Sequence, residues 1–497
     1  MSLCGYFTSL IFIFLGIGAP LQAQLYKPFN QFSYDLEAGA AFASETQTPF
    51  WLRSNQYGMV PQTNPFVTLR VNPHRDYRTD STRRSAFDWA AGAFFVANRT
   101  FGSSQGGTTL LWPEVYAKLK WKQIELSAGR QREVIGLGDS TLSSGFYAWS
   151  GNAMPFPKIQ LQTHGFISLG FLKHILAFQG AYAHGWFTAS YINQAYFHQK
   201  QFYVRFGKPH WPLRLYAGIN HQVQWGGHAD YLKNSPAAVN GSLPTTFQDY
   251  LSLVTGRYPD DYSNDRFNSF DGANRIGNHL GSYDLGIEWK TTKFQMLLYH
   301  QHPYEDASGL ALQNRPDGLT GLRWLRKNSS THALFLKHIV LEYLTTTNQS
   351  GEQYSTASKY QGADNYFNHG QYLEGWSYNG FTLGTPFIAP RATIQPNNSV
   401  LTPGYFFPNN RLRVGYIGTE WQYKQQVTVR SRFSYSQNLG AYGWVNPRTF
   451  YQFSGLVSAQ IHLNRWSKTS VKGSLAYDQG ELFVPNFGGY FGICKSW

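Results

Sequence analysis

Few residues in this chain are spaced for catalysis or for holding a metal. Its 497 residues contain no H-E-x-x-H, C-x-x-C or P-loop pattern, so zinc and phosphate-cradle chemistries have no motif behind them. The fifteen histidines are scattered, and the nearest thing to a ligand cluster is His300 and His302, on one face of a strand beside Glu305 and Asp306. A polar-face pair at a strand end is more often a hydrogen-bonding rim than a metal site. A lipid-modifying barrel enzyme would need an outward Ser and His with a third residue to orient them, and spacing picks out no such set. The expectation is a binding protein: not an enzyme, with no metal and no cofactor.

Sugar recognition is better represented. Asp364-Asn365-Tyr366-Phe367-Asn368, followed by Tyr372 and Trp376, gathers flat aromatic faces with planar amide and carboxylate groups in one segment. Such faces stack on sugar C–H surfaces, and such groups exchange hydrogen bonds with hydroxyls. The same residue types also make interface-girdle aromatics and turn-forming asparagines, and residue type alone leaves both readings open.

The elements that must carry these residues are strands. Tyr451, Phe453, Val457, Ala459, Ile461 and Leu463 alternate with Gln452, Ser454, Ser458, Gln460 and His462, with Leu456 the only break in the polar row. Val471, Leu475 and Tyr477 alternate with Lys472, Ser474 and Asp478, and Val427, Val429, Phe433 and Tyr435 with Thr428, Arg430, Arg432 and Ser434. A period of two over roughly ten residues is how a transmembrane β-strand reads. Arg205, Arg214, Asp284, Glu288, Lys290, Arg430, Arg432, Lys472 and Asp478 fall on polar faces. A lumen lined by both signs pairs its charges and conducts little.

Processing and composition agree with a barrel. Tyr6 to Gly18 is an apolar run of signal-peptide length with Leu21-Gln22-Ala23 behind it, which predicts a signal peptide over residues 1–23 and export. No later stretch is long and apolar enough for a spanning helix. Aromatic residues make up 17% of the chain at a mean hydropathy of -0.38, as two aromatic girdles around a polar lumen would give. Cys4 leaves with the signal and Cys494 has no partner, so no disulfide framework exists. Trp497 closes the chain with Phe491 and Ile493 on one alternating face, similar to the closing strand of bacterial outer-membrane barrels.

Residues 24–497 read as one barrel domain, long enough for about 16 to 18 tilted strands. Its longest interruptions are His228 to His279, with a helical pattern from Phe247 to Val254, and Thr347 to Arg411. Tight turns are expected at Lys122-Gln123 and near Lys424, on the periplasmic side, with the long segments outside. The net charge of +14 suits an anionic partner. Lipopolysaccharide phosphates and an acidic polysaccharide both fit, whereas nucleic acid has no binding module here.

Several segments in order resemble the Wzi family of outer-membrane capsule-assembly proteins. They are Pro49-Phe50-Trp51-Leu52-Arg53-Ser54-Asn55-Gln56-Tyr57-Gly58, Ser144-Gly145, Ser150 to Ile159, His221 to Gly227, Gly277 to Ser282, Glu305 to Gly309, Asp317-Gly318-Leu319, Asn365 to Trp376 and Gly384-Thr385-Pro386-Phe387. The resemblance implies an all-β, closed antiparallel transmembrane barrel of about eighteen strands, occluded rather than open. It also implies a surface lectin that tethers capsular or related exopolysaccharide. Enterobacterial members carry a helical bundle ahead of or beneath the barrel. Here Tyr34 to Ala43 already reads as strand, so occlusion must come from inward loops and lumen ion pairs. Candidate polysaccharide-binding residues, chosen for sugar chemistry in or near these segments, are Trp51, Arg53, Asn55, Tyr57, Trp225, His228, Arg323, Asp364, Tyr366, Asn368, Tyr372 and Trp376. The alternative reading is a substrate-selective outer-membrane porin for oligosaccharides or other nutrients.

Overall fold

The computed structural model describes residues 32–78, 86–101, 106–257, 275–327, 333–353, 360, 362–395, 404–424, 426–442, 444–463 and 465–497. The expected signal peptide lies outside them. Nineteen strands form one sheet. Setting aside the two-residue segment Ile167–Ser168 leaves eighteen barrel strands. These are β1 Ser33–Ala43, β2 Phe66–Arg75, β3 Phe87–Thr100, β4 Thr108–Trp121, β5 Ile124–Arg130, β6 Lys158–Thr163, β7 Leu176–Ala189, β8 Ile192–Phe206 and β9 Leu213–Trp225. They continue as β10 Asn278–Lys290, β11 Phe294–Tyr304, β12 Gly318–Arg326, β13 Leu334–Thr345, β14 Leu412–Tyr423, β15 Val427–Ala441, β16 Trp444–His462, β17 Thr469–Gly480 and β18 Asn486–Ser496. Every strand runs antiparallel to its chain neighbours, and β1 also pairs with β18 from Asp35↔Ser496 to Ala43↔Gly488. That last ladder closes the sheet and leaves no edge.

Alternation decides which way each strand faces. On β15, Tyr435 is exposed on the outer wall while Ser434, Ser436 and Asn438 are buried towards the lumen. Its neighbour β16 matches it residue for residue, Ser434 opposite Ser454 and Tyr435 opposite Phe453, so rings stack outside at 6.0 Å for Tyr435–Tyr451. Inside, opposite charges pair, as expected. Glu288 lies 2.7 Å from Arg214, Glu37 bridges Arg70 at 3.2 Å and Lys472 at 2.7 Å, and Arg430 meets Glu420 at 2.6 Å.

The two rims differ. One carries the start of β1, the end of β18 and the tight turns, with Lys122-Gln123 linking the pair Trp121↔Ile124 and a turn at Lys424 linking Tyr423↔Val427. Lys122 takes φ 53° and Lys424 φ 46°, the left-handed conformation tight hairpins require. Among the described residues, the opposite rim carries residues 44–65, 131–157, 226–257, 275–277, 305–317, 346–353, 362–395 and 404–411. Among these, α1 Phe50–Arg53 and α3 Ala307–Leu310 are single turns, and α2 Phe247–Thr255 is the helix expected near Phe247 to Val254. Thr246 and Asp249 cap α2 reciprocally, a capping box that starts it at that residue.

Candidate functional site

The segments that resemble a known family are scattered along the chain, and the fold brings several of them together inside the barrel. In α1, the Phe50 amide donates to Asp478 on β17 at 2.7 Å, and Trp51 Nε1 donates to Ser434 on β15 at 3.0 Å. The turn after α1 lies against residues 144–152. Asn55 Nδ2 donates to the Ser144 carbonyl, the Asn55 amide donates to Asn152 Oδ1, and the Tyr57 amide donates to the Gly151 carbonyl. A third segment closes over these two: Ser150 Oγ donates to the Gly384 carbonyl at 2.6 Å and Asn152 Nδ2 to the Thr382 carbonyl at 3.1 Å. One apolar core unites them, running through Phe50, Trp51, Tyr147, Trp149, Phe156, Tyr366, Phe367, Trp376 and Phe387. The lumen is therefore filled by packed side chains at the long-loop end.

The twelve candidate residues occupy five different settings. Trp51, Tyr366, Tyr372 and Trp376 are fully buried in this plug. Their polar atoms are used within the chain: Trp376 Nε1 on the Ala148 carbonyl, Tyr372 OH on the Gly226 carbonyl and Tyr366 OH on Asp317. Arg53 is buried too, with Nε on the Thr48 carbonyl and its guanidinium over Phe483 at 5.7 Å. Asn55 and Tyr57 are half-buried in the same layer, and Asn368 trades hydrogen bonds with the Phe407 backbone. Arg323 is deeper in the lumen, 3.9 Å from Glu288.

Asp364 belongs to a carboxylate cluster that ties two long loops together. Ser308 Oγ donates among Asp306 and Asp364, and Ser350 Oγ donates to Asp364 at 2.7 Å. Burial and the neighbouring Asp306 charge push the Asp364 carboxyl up to about 7. Burial likewise raises Asp317 to about 6 and lifts Glu305 well above the carboxylate range. Among the described residues no group of three or more His, Cys, Asp or Glu is arranged to hold a metal ion. His300 and His302 share the parity of the exposed Leu298, so they stand on the outer wall rather than the polar face, with His300 Nδ1 at 2.8 Å from Thr320 Oγ1.

Trp225 is also outside the lumen. It shares its face of β9 with the exposed Leu213, Leu215 and Ile219, yet it is buried because α2 folds back over the wall. Tyr250 packs against it at 5.4 Å between rings, and Tyr250 OH meets Tyr182 OH at 2.7 Å. Only His228 reaches the open surface, with its side chain 41% exposed. Beside it lie residues that sequence reasoning missed. Tyr231 is exposed, donates its OH to the Gln371 carbonyl at 2.6 Å and accepts from the Leu373 amide. Asp230 pairs with Lys233 at 2.8 Å, and Leu373 is exposed next to Tyr231. This seam joins the two longest loops and presents an aromatic ring flanked by a carboxylate, an ammonium and an imidazole. Its only sequence signal was Tyr231 between opposite charges in a Pro- and Gly-bounded loop.

These features define a class: an outer-membrane β-barrel whose lumen is closed by its own long loops. The profile of the family described as Capsule assembly protein Wzi matches residues 35–389, and the chain belongs to that family. Among solved structures it is similar to Wzi of Escherichia coli, an outer-membrane protein involved in group 1 capsule assembly and a carbohydrate-binding β-barrel. The TM-score is 0.56 at 15% identity, covering 92% of this chain and 83% of that one; identity this low speaks for the fold. OpdQ of Pseudomonas aeruginosa aligns at TM-score 0.47 and 7% identity over 94% of this chain and 98% of that one. OccAB2 of Acinetobacter baumannii aligns at 0.45 and 8% over 94% and 98%. A search of curated protein sequences finds no match.

Proposed function

We propose that this barrel is a surface lectin that anchors capsular or related exopolysaccharide to the cell, assists capsule assembly, and acts by binding alone. The observation that carries the reading is the plug: strand-borne serines and carboxylates hold α1 in the lumen, and Trp51 fills the space a solute would need. With the lumen closed, the surface available to a polymer is the external mouth. There the seam of His228, Asp230, Tyr231, Lys233 and Leu373 supplies a ring for stacking and charged groups for hydroxyls or uronates. Asn55, Tyr57, Asn368 and Asp364 are half-buried among the long loops and stay in the proposal as groups a sugar branch could reach. The buried Trp51, Arg53, Trp225, Tyr366, Tyr372 and Trp376, and the lumen Arg323, enter it as residues that shape that mouth. Many weak contacts along one polymer, repeated over many barrels, give retention without tight binding at any site.

The test compares cell-associated with released polysaccharide in a deletion strain, in one restored with the wild-type gene, and in one carrying Tyr231→Ala with His228→Ala. Polymer made but shed by the deletion strain, with partial shedding by the double variant, is the expected outcome. Unchanged retention after deletion overturns the reading.

A further inference from the structure

The barrel wall is not equally tall all round. β4 pairs with β3 out to Thr108, but its ladder with β5 begins only at Val115. β7 pairs with β8 up to Ala189, whereas its ladder with β6 stops at Gly185. The two short strands between them, Ile124–Arg130 and Lys158–Thr163, end partway up, and residues 131–157 leave the wall there to enter the lumen. The wall therefore has a notch on its external half. A pocket of about 360 Å³ opens outward at its foot, lined by Trp112, Val115, Gly129, Arg130 and Pro157.

Arg130 is the unusual member. It lies opposite Val115 in the ladder, and paired residues of an antiparallel sheet point to the same face. Val115 is exposed on the outer wall, as are Leu126 on β5 and Ile159 and Leu161 on β6. A guanidinium on the outer face above an apolar belt lies at the level where its cost falls away and where anionic lipid headgroups are met. The nearby carboxylates are already engaged, Glu114 by Arg132 at 2.8 Å and Glu133 by Lys158. Among the described residues, Arg130 has no ion-pair partner. Trp112, exposed at the pocket's edge, is the ring type that favours the headgroup level. Gly129 holds the floor: with φ 120°, a Cβ there would lie 2.1 Å from the Val115 carbonyl oxygen, so glycine keeps β4 and β5 close beneath the pocket.

We propose that this notch is a binding site for the phosphorylated, acylated end of lipopolysaccharide, with a phosphate on Arg130 and an acyl chain in the groove over Val115 and Pro157. The outward face, the external half of the wall and continuity with the lipid-facing belt place the ligand in the outer leaflet, and the unpaired guanidinium sets its charge. The site is independent of the polysaccharide seam, so it can stand or fall alone. A lipid held there would sit against residues 131–157 where they leave the wall for the plug.

The full-length barrel would be extracted from outer membranes in mild detergent and its bound lipid identified by native mass spectrometry, alongside Arg130→Gln and the pocket-filling Val115→Trp. Folding of each variant would be checked by its heat-dependent gel mobility. A phosphorylated glucosamine-based lipid retained by the wild type and reduced about tenfold in each folded variant is the expected result. Rebinding of purified short-chain lipopolysaccharide should fall similarly once its phosphates are removed. Retention unchanged in the folded variants, or a bound species that is a glycerophospholipid or a lipid-terminated polysaccharide, overturns the assignment.

Discussion

Asp364 illustrates how much a single residue's role depends on what the fold puts beside it. Read along the chain, it looked like a sugar-facing carboxylate; in the structure, Ser308 and Ser350 hold it against Asp306 and join residues 305–317 to residues 346–411. Its proton is retained to about 7 and that of Asp317 to about 6, against 3.8 for an ordinary aspartate. Folding therefore takes up protons across this window. The stability these groups contribute is complete below 3.8 and lost as pH rises towards 7. We predict that protease resistance of the two loops declines between pH 5 and pH 8, on the order of the titration range of a raised carboxyl, and that Asp364→Asn flattens the decline. A pH-independent cleavage rate in the wild type would contradict this.

Among the elements, α2 shows sequence and tertiary structure each deciding part of the outcome. Its extent was legible from the helical pattern between Phe247 and Val254, and the structure adds the reciprocal cap of Thr246 and Asp249 that starts it. Its place was not legible. Nothing local says that Tyr250 and Leu253 will cover Val223 and Trp225 on the outside of the wall. Removing the cap with Thr246→Ala should cost about 1 kcal/mol locally. The expected sign is faster amide exchange over residues 247–257, with barrel melting unchanged; exchange equal to wild type would show that packing on the wall alone holds the helix.

At the scale of the whole molecule, occlusion separates an anchor from a porin. The wild-type barrel should show negligible conductance in a planar bilayer. Trp51→Ala removes a fully buried ring from the plug, a change that costs about 3–5 kcal/mol in packed interiors. Intermittent channel openings absent from the wild type are expected from it. A steady unitary conductance from the wild type would instead favour nutrient uptake.

Alternation by itself determined the faces, and with the export signal and aromatic composition it pointed to a barrel: side chains on a strand point to opposite faces every second residue, so in a barrel the apolar row of Tyr451 to Ile461 faces lipid and its polar partner row the lumen. The tight turns, the long segments and the mixed lumen charges were equally local and equally legible. What only the tertiary structure decided is which aromatic residues reach solvent. Trp51, Tyr366 and Trp376 have sugar-binding chemistry, but Trp51, far in sequence from the other two, packs with them into one core, while Tyr231, which sequence reasoning passed over, is held at the surface by Gln371. Burial depends on contacts between segments separated by hundreds of residues, and a local pattern carries no information about which of those contacts will form.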